Sequence, residues 1–315
     1  MAVGALQRLA GGLLIVLSLG VALSYAPDRP VDTLVARWAP PPSDFIDLGG
    51  QLVHLRDEGP RDDALPIVLI HGTGDSLHTW QGWADRLKAT RRVIRFDLPG
   101  FGLTGPAADG DYRGDRYARF VLQLMDRLGV QRFVVGGNSL GGEVAWRTAS
   151  LAPQRVHQLI LVDASGYTFR PTQVPLAFQL ARLPGVNWMA TSLTPRAIVD
   201  RSVRTVYARP ERVTSDLVDR YHELTLRAGN RQALVQRLRQ LEDEHGRDID
   251  RLARLTMPTL ILWGREDRLI PLDSGERFDR EIPNSTLVVL DDLGHVPQQE
   301  DPQRSLQPVL DFLAR

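Results

Sequence analysis

The sequence predicts an α/β fold: a mostly parallel sheet with helices on both faces, interrupted by an all-helical cap insertion. Three observations predict it. First, short apolar runs rich in Val, Ile and Leu recur as "PIVLI" (66–70), "RVIRF" (92–96), "FVVGG" (133–137), "LILVD" (159–163), "TLILW" (259–263) and "TLVVL" (286–290). Runs without polar alternation suit strands buried on both faces. Second, segments with helical spacing separate them; Tyr117, Phe120, Val121, Leu124, Met125 and Leu128 recur at intervals of three and four, which places one apolar stripe on a helix. Third, the alternation stops between about Tyr167 and Arg254. That stretch is rich in Arg, Leu and Val and is punctuated by Pro171, Pro175, Pro184, Pro195 and Pro210, with no strand-like run.

Taken along the chain, the first feature is "LAGGLLIVLSLGVALSYAP", residues 9–27, which carries no charge. Its length is at the short end for a spanning helix, which needs ~17–25 residues, and exceeds a signal-peptide core of ~7–15. Residues 1–27 are therefore expected to be a membrane anchor or a signal peptide, with Ala22-Leu23-Ser24 as a cleavage site in the second case. Arg8 before the run and Asp28, Arg29 and Asp32 after it favour export of the bulk of the protein to the periplasm or outside the cell, either anchored or secreted after cleavage. Residues 28–43, containing "APPPS", read as a Pro-rich linker without regular structure. "DFIDLGGQLVHLRDEG" alternates apolar and polar residues around Gly49-Gly50, a hairpin signal. The core then comprises residues 44–166 and 255–315, with further helices expected over 143–152, 273–282 and 302–314, and the helical cap spans 167–254.

Composition narrows the function classes. Lys plus Arg and Asp plus Glu both number 38, so no basic excess marks a nucleic-acid partner. The chain has no cysteine, which removes disulfides, thiolate nucleophiles and Cys-ligated metals. No metal and no cofactor is expected.

In an open parallel sheet, ligands bind beyond the carboxyl ends of the strands, so the residues just after each strand carry the chemistry. After "FVVGG" comes Gly137-Asn138-Ser139-Leu140-Gly141, a G-x-S-x-G pentapeptide. A serine on a sharp strand-to-helix turn needs small residues two before and two after it, where the backbone passes close to its neighbours. A phosphate-binding loop of the Walker type would need a lysine here, and Lys88 is the only lysine. A serine nucleophile needs a base, oriented by a carboxylate. His295, in "DDLGHVPQQEDP" after the last strand, is the candidate base, and Asp267, in "WGREDRLIP" after the preceding strand, the candidate acid. Asp163 at the end of "LILVD" is a rival acid, Glu266 is adjacent to Asp267, and Asp97 reads as structural. His54, His71 and His78 lie near early strands, and His157, His222 and His245 on helices or connections, where solvated or capping roles are usual. An oxyanion needs backbone N–H donors: Leu140, next after the nucleophile, and Thr73 in "HGTGDS", with Gly74 as the alternative. His71 is expected to pin that loop.

"HGTGDS" (71–76), "FDLPGFGLTG" (96–105), "GNSLGG" (137–142), "WGREDRLIP" (263–271) and "LGHVPQQEDP" (293–302), in this order over residues 44–315, resemble the α/β-hydrolase family. The resemblance implies an eight-stranded sheet, a helical cap after the sixth strand and a Ser139–His295–Asp267 triad. Haloalkane dehalogenases and soluble epoxide hydrolases of this family use an aspartate nucleophile, so Ser139 argues against both. Carbon–carbon bond hydrolases of ring-cleavage products often share "GNS-x-GG" but commonly carry an aromatic residue after the catalytic histidine, where this chain has Val296 and Pro297. The sequence therefore looks closer to the esterase and lipase branch. The expected function is a serine hydrolase of carboxylic esters with an apolar or lipid-like small-molecule substrate. A carbon–carbon bond hydrolase of diketones is the alternative, and a non-catalytic binding protein a third reading. Leu176, Phe178, Leu180, Leu183, Val186 and Trp188 would form an apolar lid or the cap's own core.

Overall fold

A computed structural model describes residues 11–12, 20, 24–168, 170–182, 191–244 and 246–314. Helix α1 (Asp32–Trp38) precedes the hairpin β1 (Ser43–Leu48) and β2 (Gln51–Glu58). Next come β3 (Ile67–Ile70), a 3-10 turn at Leu77–Trp80, α2 (Gln81–Leu87), β4 (Val93–Phe96), α3 (Gly114–Arg127), β5 (Phe133–Asn138), α4 (Leu140–Leu151) and β6 (Val156–Val162). Among the described residues, four α-helices follow before the next strand: α5 (Leu176–Arg182), α6 (Arg196–Thr205), α7 (Ser215–Thr225) and α8 (Asn230–Glu244). The chain closes with β7 (Thr259–Gly264), α9 (Leu272–Glu281), β8 (Ser285–Leu290), the short α10 (Pro297–Glu300) and α11 (Pro302–Leu313).

The strands form one eight-stranded sheet in the order β1-β2-β4-β3-β5-β6-β7-β8. The β1–β2 and β2–β4 pairs are antiparallel and all later pairs parallel. Strands β3, β4, β5 and β7 are buried along their whole length, which is why they read as apolar runs, broken in β4 by the buried Arg95, which pairs with Glu58 on β2. Two apolar layers cover the sheet. Phe120, Val121, Leu124 and Val144 belong to one face, and Trp80, Trp83, Leu306 and Val309 to the other.

Two expectations are corrected here. Residues 28–43 are not irregular throughout: α1 has Asp32 in its first turn, Arg37 in its last and Leu34 fully buried against Leu103 and Leu224. Its seven residues are too few for a periodic signal, and tertiary contacts hold it. Arg37 Nη1 and Trp38 Nε1 donate to the two carboxylate oxygens of Glu223 on α7, and Asp28 pairs with Arg231 on α8. The second correction concerns the anchored or exported domain. No helix among the described residues is long and apolar enough to cross a membrane. Of residues 1–27, only 11–12, 20 and 24–27 are described, and Ala26 N donates to Ser192 O beside α6. The rest of that segment lies outside the described residues.

Candidate active site

Strand β5 delivers Ser139 with φ +56° and ψ −118°, a left-handed backbone that costs a non-glycine residue energy. The neighbouring glycines make the turn sterically feasible. A Cβ at Gly137 would lie 2.0 Å from Gly141 O, and one at Gly141 would lie 2.0 Å from Ile70 O. Ser139 N donates to Val162 O and Ser139 O accepts from Ser165 N, so the turn is tied to β6 on both sides. Gly136 has a milder constraint: a Cβ there would sit 3.3 Å from Ile160 and Leu69 side chains.

His295 and Asp267, 28 residues apart, meet with Nδ1 and Oδ2 at 2.7 Å, both side chains almost fully buried. The other oxygen of Asp267 accepts from Leu269 N at 2.8 Å and Ile270 N at 3.0 Å, which fixes the carboxylate. His295 N donates to Val206 O, and Glu300 accepts from Gly294, Ala208 and Arg209 N–H groups, so the histidine loop is clamped to the helical insertion. Ser139 and His295 line one cavity.

The other candidates are placed apart from that cavity. Asp97 is fully buried and accepts from Leu77 N, Leu103 N and the His54 ring. Burial opposes its charge, but the His54 ring, with His71 and His78 beyond it, holds its carboxyl well below the usual range. Glu266 is exposed. His71 Nδ1 donates to Gly72 O while Nε2 accepts from Leu98 N, which pins the loop after β3. His78 reaches Ser76 and Trp38 O, and His222 reaches Thr194 O. His157 is exposed beside Arg132, and His245 lies outside the described residues. Asp163, buried just past β6, accepts at Oδ1 from Gly264 N at 2.9 Å rather than from His295. Burial, and then the charge of Asp267, push its carboxyl well above the ordinary range. One atom each of Asp163, Asp267 and His295 lie within 4.8 Å of one another. These are donor types a cation accepts, but His295 and Asp267 are arranged as hydrogen-bond partners.

The cavity has a volume of about 310 Å³. Thr73, Gly74 and Leu140 line it beside Ser139, and Leu140 opens α4, so its N–H has no carbonyl partner within the helix. Val199, Val203, Leu234 and Leu238 from the insertion and Leu269 from the core make apolar walls. Phe178 lines it as well, whereas Leu176 and Leu180 do not; Leu183, Val186 and Trp188 lie outside the described residues. Two cations line it. Arg237 is spent on Glu143, Glu244 and Tyr112 O, and Arg182 is exposed with no acidic partner among the described residues. The residues that sequence reading missed are supporting ones. Asn138 Nδ2 donates to Val162 O and His295 O, joining the serine strand to the histidine loop. Asn138 occupies a variable position of the pentapeptide and Glu300 a helix end, so neither carried a signal.

A family model described as alpha/beta hydrolase fold matches residues 66–302. The chain is similar to a 2-hydroxy-6-oxononadienedioate/2-hydroxy-6-oxononatrienedioate hydrolase of a Pseudomonas species, 32% identical over 87% of this chain and 97% of that protein. It is also similar to a 2-hydroxymuconate semialdehyde hydrolase of Pseudomonas putida, 30% identical over 84% of this chain and 92% of that one. Among solved structures, a meta-cleavage product hydrolase from Pseudomonas fluorescens superposes with TM-score 0.74 and 26% identity, covering 86% of this chain and 97% of that chain. These relatives overturn the expectation of a carboxylic-ester substrate, because the compounds in their names contain no ester linkage. That expectation rests on Val296 in place of an aromatic residue. Val296 packs with Val199, Val203, Tyr207 and Val213 of the insertion and also lines the cavity, so its identity answers to the seating of the cap as well as to what the cavity holds.

Proposed function

We propose that this chain, which belongs to the alpha/beta hydrolase fold family, is a carbon–carbon bond hydrolase of 2-hydroxy-6-oxo-dienoates. The observation that carries the reading is the match, over nearly the whole length of the relatives, to hydrolases of such compounds. In a 2-hydroxy-6-oxo-dienoate the only carbonyl open to hydrolytic cleavage is the carbon at position 6, so water must be added across the C5–C6 bond. Ketonisation of the 2-hydroxy-diene places a proton on C5 and makes the 2-oxo-3-enoate an electron sink for the bond to be broken.

In this reading Ser139 Oγ attacks C6 while His295 Nε2 takes its proton, and Asp267 stabilises the imidazolium through the 2.7 Å contact to Nδ1. The N–H groups of Thr73 and Leu140 hold the oxyanion, with Gly74 next to Thr73. Collapse of the tetrahedral adduct expels C5 as a dienolate, which takes the proton from His295 and leaves as 2-hydroxydienoate. His295 then removes a proton from water, which attacks the acyl-Ser139 ester and frees the carboxylic acid. Arg182 receives the substrate carboxylate, since the charge of Arg237 is already met by Glu143 and Glu244. A volume of about 310 Å³ suits a substrate of this size.

The test is product analysis in ¹⁸O-labelled water with 2-hydroxymuconate semialdehyde and 2-hydroxy-6-oxononadienedioate. The reading expects 2-hydroxydienoate and a carboxylic acid carrying the label. Recovery of both substrates intact, with a folded protein whose Ser139 reacts with a fluorophosphonate, overturns it.

A further inference from the structure

The region behind the Asp267 carboxylate holds a second acid that the mechanism leaves unused. Asp163 is fully buried, and its backbone is left-handed at φ +44°. That conformation is strained for an aspartate with nothing to hold it. Two bonds hold it here: Asp163 N donates to Leu262 O, and Asp163 Oδ1 accepts from Gly264 N at 2.9 Å. Gly264 is the last residue of β7, and its own carbonyl accepts from Asp267 N at 3.1 Å. Asp163 therefore grips the start of the turn that carries Asp267.

Its other oxygen is the informative one. Asp163 Oδ2 is buried and has no hydrogen-bond partner among the described residues. It belongs to a residue whose carboxylate lies within 4.8 Å of both Asp267 and His295. Two ionised carboxylates within 4.8 Å of each other repel, and the full burial of Asp163 disfavours its charge further, so the pair keeps one proton. The donors decide which. Asp267 accepts from His295 Nδ1, Leu269 N and Ile270 N, whereas Asp163 accepts from Gly264 N alone. The charge belongs on Asp267 and the proton on Asp163. The charged and titratable groups facing Asp163 are Asp267, His295 and Glu300; both acids disfavour its ionisation.

We propose that Asp163 is a positioning residue: a neutral carboxylic acid whose Oδ2–H is donated to the Asp267 carboxylate, so that one negative charge, held in place, faces His295. The unpartnered oxygen is then a donor rather than an unsatisfied acceptor. The catalytic acid gains a fourth donor without a second charge that would make the imidazole too basic at its working pH.

Asparagine at 163 keeps neutrality, a donor and tolerance of the left-handed backbone. Asp163→Asn is expected to retain kcat/KM within about threefold, with the acidic limb of its pH profile unmoved. Asp163→Ala, which lacks the donor, is expected to lose kcat by roughly 10–100-fold with KM little changed, as Asp267 loosens. An ionised Asp163 would instead show itself in Asp163→Asn by a downward move of the acidic limb of about one pH unit or more, and that result overturns the proposal. Infrared spectroscopy of the wild-type enzyme gives a readout that needs neither variant turnover nor a substrate. A protonated-carboxyl carbonyl band at neutral pH, lost in Asp163→Asn, is expected, and its absence from the wild type refutes the assignment. The proposal rests on Asp267 as the acid of the hydrolase reading, but the two fail differently: that reading fails on an inert wild type, this one on the infrared band.

Discussion

Replacing Gly141 by alanine tests whether the serine turn is built by close backbone approach. A Cβ there would stand 2.0 Å from Ile70 O, 2.6 Å from Ile70 C and 2.7 Å from His71 O. All three atoms are backbone, so no side chain can swing aside, and α4 must withdraw from β3. Alanine in a helix gains about 1 kcal/mol over glycine, while overpacking of this kind costs about 1–3 kcal/mol and sometimes more. With more than 1 Å of overlap to a carbonyl oxygen, the upper part of that range applies, giving a net loss of about 2 kcal/mol. At roughly 2–4 °C per kcal/mol this lowers Tm by about 4–8 °C. The same shift moves Ser139 relative to the loop at 72–74 and cuts kcat by about 10–100-fold. Gly136→Ala is the control, because its Cβ would meet only Ile160 and Leu69 side chains at 3.3 Å. Calorimetry and turnover on both variants decide it. A Gly141→Ala enzyme as stable and as active as Gly136→Ala would refute the argument.

Arg182→Met should raise KM for a carboxylate substrate by about 10–100-fold, the worth of one charge-assisted hydrogen bond, with kcat nearly unchanged; equal KM values in initial-rate kinetics would remove Arg182 from recognition. Leu34→Ala should cost about 2–4 kcal/mol locally by emptying a site against Leu103 and Leu224, seen as faster hydrogen exchange in α1 and α7 with the sheet strands unaffected. Asp97 has a folded-state pKa below its unfolded value, so its stabilisation is complete above the ordinary carboxylate value of about 3.9 and is lost as pH falls below it. Acid unfolding of the wild type should therefore steepen below that pH, and Asp97→Asn should be less stable at neutral pH with a flatter acid dependence.

What the sequence revealed and what it concealed divide by physical cause. "PIVLI", "FVVGG" and "TLILW" are legible because strands buried on both faces are apolar at most positions, without polar alternation. Ser139, Asp267 and His295 are legible because each lies just past the carboxyl end of an apolar strand, β8 before His295 being only half-buried, and the distance of 2.7 Å between the last two comes from β7 and β8 being neighbours in the sheet. Helix α1 and the turn at Leu77–Trp80 leave no periodic trace, being short and held by partners such as Glu223 and Asp97 that are remote in sequence. Asn138, Asp163 and Glu300 act through hydrogen bonds to backbone groups remote in sequence or local to a loop, which no spacing rule records. The ester expectation rests on Val296, a residue that packs against the cap as well as lining the cavity, and the named relatives overturn it. The fold and the candidate nucleophile follow from local pattern, whereas the substrate follows from the walls of a cavity assembled from distant segments.

The central claim is that Ser139 initiates hydrolysis of a carbon–carbon bond. Its most direct test is the steady-state disappearance of the dienolate absorbance of 2-hydroxy-6-oxononadienedioate and 2-hydroxymuconate semialdehyde with wild type and Ser139→Ala. The account predicts turnover of at least one of them by the wild type, lowered by about 10³-fold or more in Ser139→Ala with the protein still folded. A folded wild type that leaves both unchanged, or a Ser139→Ala variant that cleaves as fast as the wild type, would contradict it.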